Sequence, residues 1–249
     1  MRYVRFAAGK TVSYGIVEED RVRRLSGDLF TEPGPEGRSL PLSSVRLLAP
    51  CHPSKIFALA FNFYDHLGER PAPKEPQIFL KVPSSVIGPG DPIVLPRGQG
   101  GRMDEEAEVV VVMGRRCRNV KRGNALDYVL GYTCGNDVSA RGWQKDDLNW
   151  WRAKSSDTFA PMGPWIVTGF DPTNARITAR INGKNAQEST TAKIIFDIPS
   201  LIEWISASVT LEPGDCIFTG TPHIPAEIKP GDVVEVDIEG IGILSNPVT

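Results

Sequence analysis

Histidine, cysteine and long apolar runs are all scarce in this sequence, and each scarcity removes a class of function. Only three histidines occur in 249 residues, and they are not clustered, so an imidazole-rich metal site is not indicated. The four cysteines, at 51, 117, 134 and 216, are far apart and show no C-x-x-C spacing; they read as free thiols of a reducing compartment. No apolar run approaches the roughly 18 residues of a membrane span. The opening segment, MRYVRFAAGKTVSYG, holds no sustained apolar stretch, so no membrane association is expected and the cytoplasm is the expected location. A dominant charge is missing too: 28 Lys and Arg face 30 Asp and Glu, for a net charge of -2. Such a field offers nucleic acid no general attraction. The one basic run, 115–122 (RRCRNVKR), lacks interleaved aromatics and a recognition helix, and reads as a solvated turn. Neither a G-x-G-x-x-G that opens a helix after a strand nor a G-x-x-x-x-G-K-[ST] occurs, so no organic cofactor is expected.

What is present is an ordinary globular composition, 41% hydrophobic and 23% charged, arranged in short β-like pieces. Residues 3–6 and 12–17 suggest a small hairpin unit, followed at 27–41 by a Gly/Pro/Ser/Glu-rich stretch that reads as a linker or long loop. A small N-terminal β domain over 1–50 and a main domain over 51–249 are expected. Further strands are expected at 56–60, 79–82, 107–113, 132–138, 165–168 and 177–181, the last closed by Asn182-Gly183, a good hairpin turn. The clearest helix begins near Ser200, where Ser200 and Glu203 have capping-box spacing and Ile198, Leu201, Ile202, Ile205 and Val209 make one apolar face. Three Pro-Gly-Asp turns, at 89–91, 213–215 and 230–232, join β-rich segments in the manner of type II turns. The fold class is therefore mainly β with short helices.

The chemistry sits in one acidic constellation. Glu106 and Glu108 stand two apart at the mouth of the strongest strand, so both carboxylates point to one face, which continues as Val110 and Val112. Asp104 shares that phase and Glu105 faces the other way. Burying unpaired anions is costly, and a dication offsets their repulsion. Asp137, at the end of another apolar stretch, is placed to close the site from a neighbouring strand. Three carboxylates favour a hard, oxygen-preferring cation such as Mg²⁺ or Mn²⁺; read without further context, such an acidic pair is also compatible with a solvated strand end.

These residues, taken with 62–66 (NFYDH), 85–89 (SVIGP), 131–141 (GYTCGNDVSAR), 154–165 (KSSDTFAPMGPW), 211–215 (LEPGD) and 218–222 (FTGTP), resemble the fumarylacetoacetate hydrolase family, in its acylpyruvate hydrolase and hydroxymuconate isomerase-like branch. The resemblance runs from Lys55 to the C-terminus. It implies a mixed β-sandwich roll, a homodimer, and a metal held by Glu106, Glu108 and Asp137. It also implies substrate-binding roles for Lys81, Arg141, Gln144 and Thr221, a catalytic Lys154, and a lid bearing a His66–Glu69 dyad. If 64–70 turn helically, His66 and Glu69 are three apart and can meet, so that the carboxylate polarises the imidazole as a base. One departure from the family stands at 223–225, where His-Ile-Pro replaces a flexible glycine-containing stretch beside the expected substrate site. The implied activity is metal-dependent hydrolysis of a C–C bond in an acylpyruvate-type 2-oxo acid. Decarboxylation of an oxaloacetate-type substrate, hydroxymuconate-type isomerisation, and a catalytically weak binding or scaffold protein are the alternatives.

Overall fold

The structure is a computed structural model that describes residues 1–31 and 33–249. The N-terminal strands Arg2–Ala8, Thr11–Glu18 and Arg21–Leu25 form an antiparallel meander. The segment expected as a loop over 27–41 contains a further strand, Pro35–Pro41, paired with Arg21–Leu25. Its prolines stand at the two ends of an edge strand, where a missing N–H costs little. Arg21 reinforces the pairing by donating to the Ser39 hydroxyl at 3.0 Å and the Ser39 carbonyl at 2.9 Å. This small β sub-domain joins the main sheet where Arg2 and Tyr3 pair with Val167 and Ile166.

Among the described residues the main sheet has twelve strands. At its centre, Ala107–Met113 lies between Val129–Asn136 and Cys216–Phe218, both antiparallel to it. Cys216–Phe218 then runs parallel to Ile56–Ala60, and Gln77–Lys81 forms the far edge. The run of valines follows from burial on both faces: Val109 and Val111 enter one core, Val110 and Val112 another. A second, four-stranded sheet (Lys184–Thr190, Arg176–Ile181, Val233–Ile238, Gly242–Pro247) packs Ile177, Val236 and Ile238 into the first of those cores. The result is a mixed β sandwich with few short helices.

Local signals hold where backbone geometry decides. Asn182 and Gly183 both have positive φ, 53° and 75°, as a two-residue hairpin turn requires, and Gly90, Gly214 and Gly231 take positive φ in the three Pro-Gly-Asp turns. The main helix starts earlier than expected. It spans Ile198–Ser208, and its cap is Asp197, whose carboxylate accepts from the Ser200 N–H at 2.9 Å. Pro199 fits the first turn, where its absent N–H is not needed, so the helix begins before the Ser200/Glu203 pair. Val209 lies just past the helix as its C-cap and is exposed rather than part of the apolar face. The basic run serves the ends of this helix. Arg122 pairs with the Asp197 cap, and Arg118 donates to the carbonyls of Ser206, at 2.5 Å, and Ala207 at the C-terminal end. Among the described residues no helix is long and apolar enough to cross a membrane.

Candidate functional site

The strand Ala107–Met113 begins between two carboxylates. Glu106 is fixed as it enters the sheet: its N–H donates to the Asn136 side chain at 3.0 Å, and its carbonyl accepts from the Asp137 N–H at 2.9 Å. The second of these bonds sets Asp137 beside the strand mouth, one residue past the end of Val129–Asn136. Glu108, the next residue in phase, is fully buried and accepts from the Gly220 N–H at 2.6 Å. Ligand oxygens of Glu106, Glu108 and Asp137 all lie within 4.8 Å of one another.

Cations from three other segments converge on this trio. Lys154, on the helix Trp151–Ser155, places its ammonium 2.6 Å from both Glu106 Oε2 and Asp137 Oδ2. Lys81, on the edge strand Gln77–Lys81, reaches Asp137 Oδ1 at 2.6 Å and also donates to the Lys154 carbonyl. Arg141, at the start of the helix Arg141–Asp146, lies 2.6 Å from Glu106 Oε1 and 2.7 Å from Asp104 Oδ2. It also donates to Gln144 at 2.9 Å, so the two residues do share a helix face. Asp104 is thereby engaged with Arg141 and, at 2.5 Å, with Arg102, and stands outside the trio.

Burial and charge split the carboxyls. Burial raises Glu106, but the positive charges of Lys154 and Arg141 outweigh it and hold this carboxyl well below the usual range. Burial pushes Glu108 well above that range, and the negative charges of Asp137 and Glu106 add to the effect. Glu105, on the opposite side, is pushed up to about 8, mainly by burial. Burial alone would lower Lys154, yet Asp137 and Glu106 keep it raised; in Lys81 burial prevails and the ammonium is lowered.

The donor set fits a divalent cation. All three donors are hard oxygens, and Glu108 Oε1 is buried with no hydrogen-bond partner among the described residues, an arrangement that an ion would complete.

Above the trio opens a cleft of about 490 Å³, lined by Glu106, Arg141, Gln144, Lys154, Thr221 and His66 together with apolar Phe61, Phe79, Trp150 and Ile224. Lys81, expected to bind substrate, and Glu69, expected to pair with His66, are placed differently. Lys81 is fully buried and absent from the cleft wall, because its contacts run to Asp137 and the Lys154 carbonyl beneath it. Glu69 is exposed, and among the described residues no hydrogen bond or ion pair joins it to His66; Gly68, at φ 59°, turns the chain between them. The dyad is therefore not formed in this structure. His66 Nδ1 instead meets the His223 carbonyl at 2.5 Å.

Sequence reasoning missed Gln187. Its carbonyl oxygen accepts from the Ala107 N–H at 3.1 Å, and its amide donates to Thr221 Oγ1 at 3.1 Å and the Pro222 carbonyl at 2.6 Å. It thus ties the strand mouth to the turn that carries Thr221. A polar residue buried in the strand Lys184–Thr190 was the only available signal, and it has no meaning until the two sheets are brought together.

Comparison with known proteins matches residues 55–249 to the family described as "Fumarylacetoacetate (FAA) hydrolase C-terminal" and residues 1–50 to "Rv2993c-like, N-terminal". The chain is 44% identical over 224 residues to the oxaloacetate tautomerase fahd2, mitochondrial, of Xenopus laevis, covering 84% of this chain and 70% of that protein. Among solved structures, 5-carboxymethyl-2-hydroxymuconate delta-isomerase from Mycobacterium smegmatis superimposes with a TM-score of 0.95 at 43% identity, covering 100% of this chain and 99% of that one. A maleylpyruvate hydrolase from Sphingobium sp. SYK-6, solved in complex with manganese(II) ion and pyruvate, gives a TM-score of 0.85 at 29% identity, with 100% and 99% covered.

Proposed function

Because the chain belongs to the fumarylacetoacetate hydrolase family, we propose that it is a Mg²⁺- or Mn²⁺-dependent hydrolase that cleaves a C–C bond in an acylpyruvate-type 2-oxo acid. The observation that carries this reading is the buried trio Glu106, Glu108 and Asp137 beneath a cleft whose wall presents Arg141, Gln144 and Lys154. The manganese and pyruvate bound by the Sphingobium relative support it.

When bound by the trio, a dication supplies a Lewis acid beside the substrate's oxygens. The chain's own residues do the rest. Arg141 and Lys154 bring fixed positive charge to the cleft floor, where the carboxylate and 2-oxo oxygens of the substrate are held, and Gln144 and Thr221 add hydrogen bonds. The apolar Phe61, Phe79 and Trp150 exclude water from the side of the cleft they cover. His66 takes a proton from a water molecule, which adds to the distal carbonyl. The C–C bond then breaks, its electron pair passes to the pyruvyl fragment, and protonation of that fragment gives pyruvate and a carboxylic acid.

A second reading is proton transfer on the same class of substrate, as an isomerase or tautomerase. The activities named for the Mycobacterium smegmatis and Xenopus relatives favour it. Decarboxylation of an oxaloacetate-type substrate would use the same floor without the water.

A Mn²⁺-supplemented panel of acylpyruvates, oxaloacetate and hydroxymuconate-type diacids, with product analysis, separates these readings. Hydrolysis predicts pyruvate and a carboxylic acid in equal amounts. Isomerisation predicts a product of unchanged mass, and decarboxylation predicts CO₂. No turnover of any panel member, together with no heat on titration with Mg²⁺ or Mn²⁺, would leave only a binding or scaffold role. His66→Ala is expected to lower hydrolysis by roughly 10²–10⁴-fold, the usual scale of general base catalysis, with Mn²⁺ binding unchanged. Near-normal cleavage by this variant would remove His66 from the reaction.

A further inference from the structure

The reading of His66 as a base raises the question of what orients its ring. A carbonyl oxygen can only accept a hydrogen bond, so the 2.5 Å contact between His66 Nδ1 and the His223 carbonyl places the proton on Nδ1. Nε2 is then left with its lone pair, the form a base needs.

His223 is held in turn. Its own N–H donates to Asp65 Oδ1 at 3.2 Å, so two adjacent residues, Asp65 and His66, grip the N–H and the C=O of a single residue. The other Asp65 oxygen accepts from Ser189 Oγ at 2.5 Å and from Lys193 Nζ at 2.9 Å, which fixes the carboxylate to the second sheet and the short turn that follows it. His223 has φ 55°, a left-handed conformation that a non-glycine residue keeps only when its surroundings hold it there. The segments on the two sides of the grip, through His66 on one and Thr221, Ile224 and Pro225 on the other, line the same cleft.

We propose that a main-chain clamp, formed by Asp65 on the N–H of His223 and presenting the His223 carbonyl to His66, orients the imidazole and fixes its tautomer. Asp65 is accordingly a positioning residue. The proposal rests on the proposed base role of His66, but the tautomer can be read without any substrate.

The test uses the full chain, labelled with ¹⁵N, and long-range ¹H–¹⁵N correlation of the imidazole rings at about pH 8, above the ordinary histidine pKa of about 6.5. In the wild type and in Glu69→Ala, His66 carries its proton on Nδ1. In Asp65→Ala the Nδ1–H form gives way to Nε2–H or to a mixture. Asp65→Asn keeps an oxygen that accepts from the His223 N–H and restores the wild-type pattern. His223→Gly retains both main-chain groups and tolerates the positive φ, so it also keeps the Nδ1–H form, which assigns the effect to the main chain. An unchanged tautomer in Asp65→Ala, or a change in Glu69→Ala, overturns the proposal. In acetylpyruvate hydrolysis with Mn²⁺, Asp65→Ala lowers kcat by about 10²-fold, the scale of misplacing a reacting group by about 1 Å, with KM little changed, and Asp65→Asn restores it. If the wild type turns over no substrate, the functional reading fails while the spectroscopic result still decides the clamp.

Discussion

Glu108→Gln is expected to lower Mn²⁺ affinity by well over tenfold and turnover by about 10²–10³-fold, while the chain stays folded. Losing a group that merely orients a metal ligand costs about 10–100-fold in affinity, and losing a donor itself costs no less. The turnover figure is the scale of deleting one preorganised electrostatic group, about 10²–10³-fold. Retention of the fold follows from the contacts. The Gln oxygen can still accept from the Gly220 N–H, as Glu108 does at 2.6 Å, and its amide can donate toward the carboxylates of Glu106 and Asp137 within the same cluster. The buried Oε1, which has no hydrogen-bond partner among the described residues, is thus replaced by a donor that has one. Glu106→Gln is a less selective probe, because it also disturbs Lys154 and Arg141. Calorimetric titration with Mn²⁺, thermal melting and steady-state kinetics measure the three effects separately. An unaltered Mn²⁺ titration would remove Glu108 from the donor set.

The trio was legible because a strand has a period of two. Glu106 and Glu108 had to share a face, and the valines that follow marked the strand as buried. Asp137 could be placed at the end of a second apolar run, although its pairing with the first strand needed the register Ala107 to Asn136. The cations around the trio were legible only through family resemblance. Lys81, Arg141 and Lys154 come from an edge strand and two short helices, and no local pattern states that these segments meet. The His66–Glu69 spacing was a sound local argument, but the helical turn over 64–70 that it needed is not formed in this structure. The 3₁₀ turn covers only Tyr64–His66, and Gly68 then takes a left-handed conformation. The departure at 223–225 was visible as sequence, but its consequence was not, because that consequence runs through main-chain atoms of His223 rather than through its side chain. The strand Pro35–Pro41 was hidden by the very prolines that its ends accommodate.

Lys154→Met is expected to have the opposite signature: the metal site survives, and stability without metal falls. The ammonium lies 2.6 Å from one oxygen of Glu106 and one of Asp137, and its side chain is 3% exposed. Removing one partner from a buried ion pair usually costs about 3–5 kcal/mol, since the remaining charge stays desolvated. Here Arg141 still faces Glu106 and Lys81 still faces Asp137, so the lower end, about 3 kcal/mol, is expected. In a chain of this size each kcal/mol moves Tm by about 2–4 °C, which gives a fall of roughly 6–12 °C. The ammonium also lies over the Phe79 ring, 5.1 Å from its centroid, and Met keeps a side chain of similar length there, so the loss is one of charge rather than volume. Mn²⁺ then discriminates. The ammonium and a dication draw on the same two carboxylates, so saturating Mn²⁺ should raise the Tm of the variant by more than it raises that of the wild type, recovering most of the difference. Turnover should remain low even with Mn²⁺, because the positive charge that Lys154 contributes to the cleft wall is gone. Equal Mn²⁺-induced shifts in the two proteins would show that the lysine and the metal do not share those oxygens.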